Sequence, residues 1–309
     1  MKTVYLNKFM SSVVTELEMN GQYGTAHVCG SVLRSVMAFG GEGLPVSGIT
    51  PLWLKAYEGY LLHKGGKGLA WNTVSTYMRM LQAVYNRAVV RKLAAFIPHQ
   101  FRDVFTGRKA DHRRVLERDD MQKLLVERDP DITSPGMAWA RACLELMFRF
   151  HGMPFVDLAH LRKSDLKDGY LTLRRRKTGM PLSARVDGRA MQLLERYRNR
   201  DETSPYLLCF LDGNLEGMAA YRDYQRILRL LNSRLRALAL WKKVQGKVTS
   251  YSARHTWATV GRYCHIPIEV ISEGLGHASV TTTEGYMKGF GNSRMDRANK
   301  VIMNYIFKG

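Results

Sequence analysis

The chain has 309 residues, 45% of them hydrophobic and 24% charged, so it exceeds what one core usually organises and two globular domains are expected. Its 47 lysines and arginines against 27 acidic residues give a net charge of +20, which favours a polyanionic partner. Ribosomal, membrane-surface and DNA-binding proteins all share such an excess, so charge makes nucleic acid the leading candidate partner and excludes none of these classes.

The location predicted for the chain is the cytoplasm, in association with the nucleoid and not with a membrane. No segment reaches the roughly 18 apolar residues of a membrane span, and the first residues lack the features of a signal peptide. The four cysteines are far apart and form no CxxC pair. This spacing argues against a disulfide framework and against a structural zinc site.

The first part of the chain, residues 1–107, is predicted to be a helical domain. Thr50 and Pro51 form a cap and first-turn signal before a helix that ends near Gly65, and a second helix is expected from about Asn72. The stretch that follows is polar, basic and without clear periodicity. Residues 108–118 are therefore predicted to be an interdomain linker.

Residues 119–309 are predicted to form a second domain that mixes helices with a hairpin. A helix over 137–150 should stop before Pro154, because proline cannot continue it. A strand over 170–177, a turn at Thr178-Gly179 and a return strand over 180–186 are expected next, followed by further helices. The fold class predicted for the whole chain is mainly α with a small antiparallel sheet.

The stretch 250–288 contains ARHTWAT, then LGHAS, then a tyrosine nine residues after the histidine. This combination of identities and spacings resembles the C-terminal signature of the tyrosine recombinase (phage integrase) family. The resemblance extends upstream through the hairpin and over nearly the whole chain. It implies an N-terminal helical core-binding (SAM-like) domain, a catalytic domain, and a C-terminal helix, from Asn292, that docks on a neighbouring protomer.

The resemblance assigns the nucleophile to Tyr286, which would form a covalent link to a DNA phosphate that a second DNA end can later reverse. Arg254 would stabilise the charge on the non-bridging oxygens, because a guanidinium fork suits phosphate. His277 would hydrogen-bond the scissile phosphate. The alternatives are that Tyr286 is an aromatic packing residue, that Arg254 is a surface charge and that His277 is a helix-end histidine.

Lys177 stands at the predicted hairpin tip, where the family places the lysine that protonates the leaving 5′ oxygen. The preceding arginines, residues 174–176, could instead grip backbone phosphates. His255, next to Arg254, is interpreted as a structural residue on another face of the helix.

The sequence departs from the family pattern at two positions. Tyr251 stands where a histidine usually precedes the second arginine, and a tyrosine can donate a hydrogen bond but is a poor base. Pro154 stands where the first arginine of a G-x-R-x-x-E turn belongs, although Asp157 matches the acidic residue. His151 is the predicted replacement cation, with Arg149 as a further candidate; the alternative is that His151 only caps or packs the helix end. An unreplaced arginine would cost roughly 3–4 kcal/mol of transition-state stabilisation.

The function predicted from this resemblance is site-specific DNA recombination through a 3′-phosphotyrosine intermediate, giving inversion, excision or integration. No cofactor and no metal is expected, and the partners would be double-stranded DNA and a homotetramer on two DNA sites, monomeric or weakly associated without DNA. Few residues precede the first helix, so no arm-binding domain is expected, which leans towards inversion, resolution or a mobile element. A DNA-binding protein that has lost cleavage and a type IB topoisomerase are the alternatives.

Overall fold

A computed structural model describes residues 3–109, 115–125, 134–277, 279–284, 287 and 299. The chain separates into two compact units. The first comprises Met1–Ala110 with Leu215–Tyr221, and the second comprises Asp111–Asn214 with Arg222–Gly309. The predicted fold class, mainly α with a small antiparallel sheet, is confirmed. Within the described residues, none of the helices combines the length and the apolarity needed to cross a membrane.

The first unit is built on four α-helices around one apolar core. They are α1 (Leu6–Met19), α2 (Tyr23–Gly40), α3 (Pro51–His63) and α4 (Trp71–Val90). The start of α3 is the predicted one, because Pro51 occupies its first turn and the Thr50 side chain accepts a hydrogen bond from the Trp53 amide at 3.2 Å. Apolar side chains at helical spacing fill the core, including Val13, Val32, Leu54, Tyr57, Met78, Leu81 and Val84.

The second unit contains eight helices and three strands within the described residues. In chain order these are α5 (Arg118–Leu125), α6 (Pro135–Arg149), α7 (Phe155–Ala159), β1 (Leu166–Lys167), β2 (Tyr170–Arg174), β3 (Pro181–Arg185), α8 (Gly188–Arg196), most of α9 (Gly217–Trp241), α10 (Ser252–Tyr263), α11 (Ile268–Leu275) and α12 (Val280–Glu284). Their main core includes Leu144, Met147, Leu158, Leu171, Leu231, Leu235 and Ala253.

The sheet has the strand order β1-β2-β3, antiparallel throughout, with Leu171 opposite Ala184. β1 was not predicted, and β2 ends at Arg174 rather than at residue 177. The physical reason for the earlier end is that Asp157 binds both the Arg175 side chain and the Arg176 amide. The turn over 175–180 is closed by bonds from the Arg175 amide to the Met180 carbonyl and from the Gly179 amide to the Arg175 carbonyl, 2.8 Å each, and Gly179 supports it with φ +70°.

Both ends of the predicted linker have packing partners. In the first unit, Asn72 Nδ2 donates to the Lys109 carbonyl and Asn72 Oδ1 accepts from the Lys109 amide, at 2.8 Å each. Leu116 is buried in the second unit, where its amide donates to Thr256 Oγ1 at 3.0 Å. The limits 1–107, 108–118 and 119–309 stay predictions, and the predicted C-terminal helix from Asn292 lies outside the described residues except for residue 299.

Candidate active site

Arg254 is buried in the second unit, and its guanidinium donates to backbone carbonyls from two other parts of that unit. It lies in the first turn of α10 with a relative exposure of 3%. Nη1 donates to the Gly152 carbonyl at 3.0 Å, and Nη2 donates to the Leu275 carbonyl at 2.6 Å. Leu275 is the last residue of α11, and the carbonyl end of a helix carries a partial negative charge that favours a cation there. The guanidinium is therefore held in one orientation.

The turn between α6 and α7 reaches Arg254 because residue 152 is glycine. Its φ is +67°, and a Cβ at this position would lie 2.9 Å from the Arg254 Cα. Such a distance to backbone is not tolerated, so a side chain here would push the turn off α10. Pro154 follows as the cap residue of α7 with extended backbone. The turn is thus formed with proline at position 154.

His277 lies beside Arg254 and is held in one tautomer. Its Nε2 is 2.8 Å from Arg254 Nη2, and its Nδ1 is 2.8 Å from Thr283 Oγ1 in α12. A guanidinium can only donate, so Nε2 accepts and the proton belongs on Nδ1, which donates to Thr283. Burial, with added repulsion from Arg254, Arg175 and Lys177, lowers the pKa of His277 to about 4. The ring is therefore neutral at pH 7.

Acid is expected to destabilise the second unit through its histidines. Burial, followed by the charge of Arg176, also lowers the pKa of His160 to about 4. An unfolded histidine titrates near 6.5, so between about pH 6.5 and pH 4 the unfolded chain binds protons that the folded chain excludes. The free energy of unfolding should therefore fall as the pH drops from 7 to 5.

Urea unfolding at pH 7 and pH 5 measures this slope. We expect His277→Gln and His160→Gln each to reduce the difference between the two pH values, and the double variant to reduce it further. An unchanged slope in the double variant would contradict the lowered pKa values.

Lys177 and Tyr251 are both solvent-accessible. Lys177 is exposed in the hairpin turn, close enough to His277 to contribute to its lowered pKa. Tyr251 caps the start of α10, is 40% exposed, and has its ring centroid 6.3 Å from that of His255. His255 itself is buried. Two exposed side chains thus lie near the group formed by Arg254 and His277.

The two candidates for a replacement cation, His151 and Arg149, are bound by residues other than Arg254 and His277. The His151 ring packs on Trp257 with centroids 5.6 Å apart, and burial lowers its pKa. A lowered pKa leaves this ring uncharged at neutral pH. Arg149 donates to Glu145 at 2.9 Å and to Asp187 at 2.6 Å. Its charge is thus taken up by two carboxylates.

Arg175 is a further cation at this site, and sequence reasoning did not single it out. It is 5% exposed, and its Nε donates to Asp157 Oδ2 at 2.6 Å. Its Nη1 donates to the carbonyl of Leu275, the acceptor that Arg254 also uses. One sequence signal pointed to it: Asp157 matches the family's acidic residue while no arginine precedes it in its turn. A run of three arginines stood 18 residues downstream.

Tyr286, the predicted nucleophile, lies outside the described residues. The residue after it, Met287, is buried and packs in a cluster with Ala258, Ile271 and Leu275 of α10 and α11. The described residues thus bring together Arg254, His277 and Arg175, with Lys177 at the border of the group, and place His151 against Trp257.

Comparison with known proteins agrees with the architecture. Residues 5–102 match the phage integrase SAM-like domain. Tyrosine recombinase XerA of Pyrococcus furiosus is 29% identical over 140 residues, and the match spans 44% of this chain and 46% of that protein.

Two solved structures share the fold. A lambda integrase dimer bound to a COC′ core site is 17% identical, with a TM-score of 0.63 over 94% of this chain and 97% of that one. The Tn1549 transposon integrase in complex with transposon right end DNA is 15% identical, with a TM-score of 0.65 over 99% of this chain and 100% of that one. Residues 114–290, more than half of the chain, match the phage integrase family, and the chain belongs to this family of tyrosine recombinases.

Proposed function

We propose that this chain is a site-specific recombinase that cleaves and rejoins double-stranded DNA through a 3′-phosphotyrosine link at Tyr286. The buried Arg254, oriented by Gly152, Leu275 and His277, is the observation that carries the proposal. Desolvated, preoriented donors stabilise developing negative charge far more than solvated ones do. The solved relatives are integrases bound to DNA, and a net charge of +20 supports the same partner.

In the proposed reaction the Tyr286 hydroxyl gives its proton to solvent water, and its oxygen bonds to phosphorus as the bond to the 5′ oxygen breaks. Lys177, exposed in its turn, donates the proton that the 5′ oxygen takes. Arg254 binds a non-bridging oxygen, and Tyr251 adds a hydrogen bond. The number of phosphoester bonds is conserved, so exchange between two duplexes held by four protomers in the cytoplasm requires no ATP.

His277 must change its protonation to join this reaction. In the described state its Nε2 accepts from Arg254, whereas a hydrogen bond to phosphate requires a proton on Nε2. A phosphate oxygen at Arg254 would compete for Nη2, and its negative charge would raise the pKa of His277. The bound phosphate thereby favours the imidazolium form, whose Nε2 proton can be donated to a phosphate oxygen.

A library of nicked duplexes of randomised sequence tests the function whatever the target sequence is. The protein is incubated with the library, and DNA that stays attached after denaturation in SDS is recovered and sequenced. We expect wild type and Tyr170→Phe, an exposed tyrosine of β2, to retain one family of sequences and Tyr286→Phe to retain none. Equal recovery with Tyr286→Phe would refute the assigned nucleophile.

The same assay separates the rival functions. Specific binding to a sequence without any SDS-resistant link would identify a DNA-binding protein that has lost cleavage, the alternative that Pro154 motivates. Relaxation of a supercoiled plasmid that lacks the recovered sequence would instead identify a type IB topoisomerase.

A further inference from the structure

We propose that Arg175 is a catalytic residue: its guanidinium binds the scissile phosphate together with Arg254 and replaces the cation that Pro154 removed. This inference rests on the proposed function and extends it to a residue outside the family's usual arginine position. The replacement comes from the hairpin turn after β2 instead of from the turn before α7.

The first support is that both arginines donate to one atom. Arg254 Nη2 and Arg175 Nη1 each hydrogen-bond the carbonyl oxygen of Leu275. Two donors on a common acceptor are separated by at most the sum of two hydrogen-bond lengths, roughly 5–6 Å. A single phosphate group, which accepts hydrogen bonds on two non-bridging oxygens, can therefore reach both guanidinium groups.

The second support is that Arg175 is held in one orientation. Its Nε binds Asp157 Oδ2 at 2.6 Å, and the other oxygen of Asp157 accepts from the Arg176 amide at 3.0 Å. Both side chains of the ion pair are at least 95% buried. A carboxylate fixed at two points leaves the planar fork little freedom, which is the preorganisation that a transition-state donor requires.

The third support is the space that Gly276 leaves for the Arg175 guanidinium, together with the Arg175 nitrogen that has no acceptor. Gly276 has no side chain, and a Cβ there would lie 2.8 Å from Arg175 Nη1, so this glycine allows the guanidinium to lie against the end of α11. Among the described residues, Nε and Nη1 of Arg175 have acceptors and Nη2 has none. One donor is thus available for an incoming oxygen.

The other cations fit this role less well. His151 is uncharged at neutral pH and packs on Trp257. Arg149 is bound by Glu145 and Asp187. Arg175 alone of these three shares an acceptor with Arg254, and it is bound to the acidic residue, Asp157, that follows the turn of Pro154.

The test compares Arg175→Gln with a matched arginine that is also paired with a carboxylate. Arg198 donates to Glu195 at 2.9 Å in the same unit, so Arg198→Gln removes an equal charge elsewhere. With the duplex recovered from the library, we expect Arg175→Gln to slow single-turnover formation of the covalent link about 10²-fold. Its affinity for the duplex should stay within a few-fold of wild type, and Arg198→Gln should react at the wild-type rate.

A methylphosphonate at the scissile position tests the mechanism directly. This neutral group lacks one charged oxygen, so it needs less compensation by cations. The rate difference between wild type and Arg175→Gln should therefore shrink to a few-fold on this substrate. The proposal would be overturned if Arg175→Gln cleaved the ordinary duplex at the wild-type rate. It would also be overturned if the variant were slowed by the same factor on both substrates.

Two further measurements distinguish a catalytic role of Arg175 from an effect on folding and from failure of the proposed recombinase function. The double variant Arg175→Gln with Asp157→Asn removes the buried carboxylate that Arg175→Gln leaves unpaired, so it should regain stability against urea without regaining the rate. Recovery of the rate would assign Arg175 a structural role only.

If wild type forms no covalent link, titration with inorganic phosphate, followed by the NMR signals of His277, still tests Arg175. Weaker phosphate binding in Arg175→Gln than in Arg198→Gln supports the site, and equal binding refutes it.

Discussion

Arg254→Ala should lower the single-turnover rate of covalent link formation by on the order of 10³-fold, the upper range for loss of one preorganised donor. The expected effect is large because the guanidinium is buried and oriented by Gly152, Leu275 and His277. Water that enters the space cannot reproduce a fixed positive charge. The measurement is a time course of SDS-resistant complex on the recovered duplex with protein in excess.

Arg254→Lys provides the comparison that separates charge from geometry. An ammonium keeps the charge but cannot donate to two carbonyls and a phosphate in one plane, so we expect it to restore only part of the rate. Urea unfolding is the control for stability, because in the alanine variant the Gly152 carbonyl loses its Arg254 donor and the Leu275 carbonyl keeps only Arg175. A rate within a few-fold of wild type in Arg254→Ala would contradict the proposed role.

Gly152→Ala should destabilise the second unit by about 2–5 kcal/mol and remove activity with it. Part of the cost, about 1–2 kcal/mol, comes from a side chain at φ +67°. The remainder comes from the contact of 2.9 Å with the Arg254 Cα, which forces backbone to move as overpacking does. Urea unfolding of the folded variant, or loss of soluble protein, measures the effect.

Gly169→Ala is the matched control for this prediction. Gly169 has φ +77°, and no atom lies within 4 Å of its ideal Cβ position. This variant therefore carries the backbone cost without the contact, and its unfolding free energy should fall by only about 1–2 kcal/mol. Equal losses in the two variants would show that the approach to α10 is unimportant.

Local rules predicted those parts of the fold that depend on neighbours in sequence. The start of α3 follows from Thr50 and Pro51, and the hairpin follows from a strand-like run with a glycine turn. The family signature predicted that Arg254 and His277 act at one site, and Arg254 Nη2 lies 2.8 Å from His277 Nε2. Each of these inferences needed only a pattern within a short stretch or a known spacing.

Arg175 could not be singled out in the same way. Its role depends on Asp157, 18 residues earlier, and on the Leu275 carbonyl, 100 residues later. Hydrophobic periodicity does not give the direction of a side chain in a turn. The sequence alone therefore could not distinguish between the three consecutive arginines, residues 174–176. The strand end at Arg174, three residues earlier than predicted, has the same cause, because the tertiary contact with Asp157 outweighs the local preference for the ladder.

A shared acceptor makes the two arginines thermodynamically coupled. If Leu275 loses one donor, its oxygen is freed to strengthen its bond with the other, so the remaining guanidinium adjusts its geometry. The free-energy losses of separate replacements at 175 and 254 should then not sum to that of the joint replacement. Neither arginine can therefore be replaced without altering the hydrogen bond that orients the other.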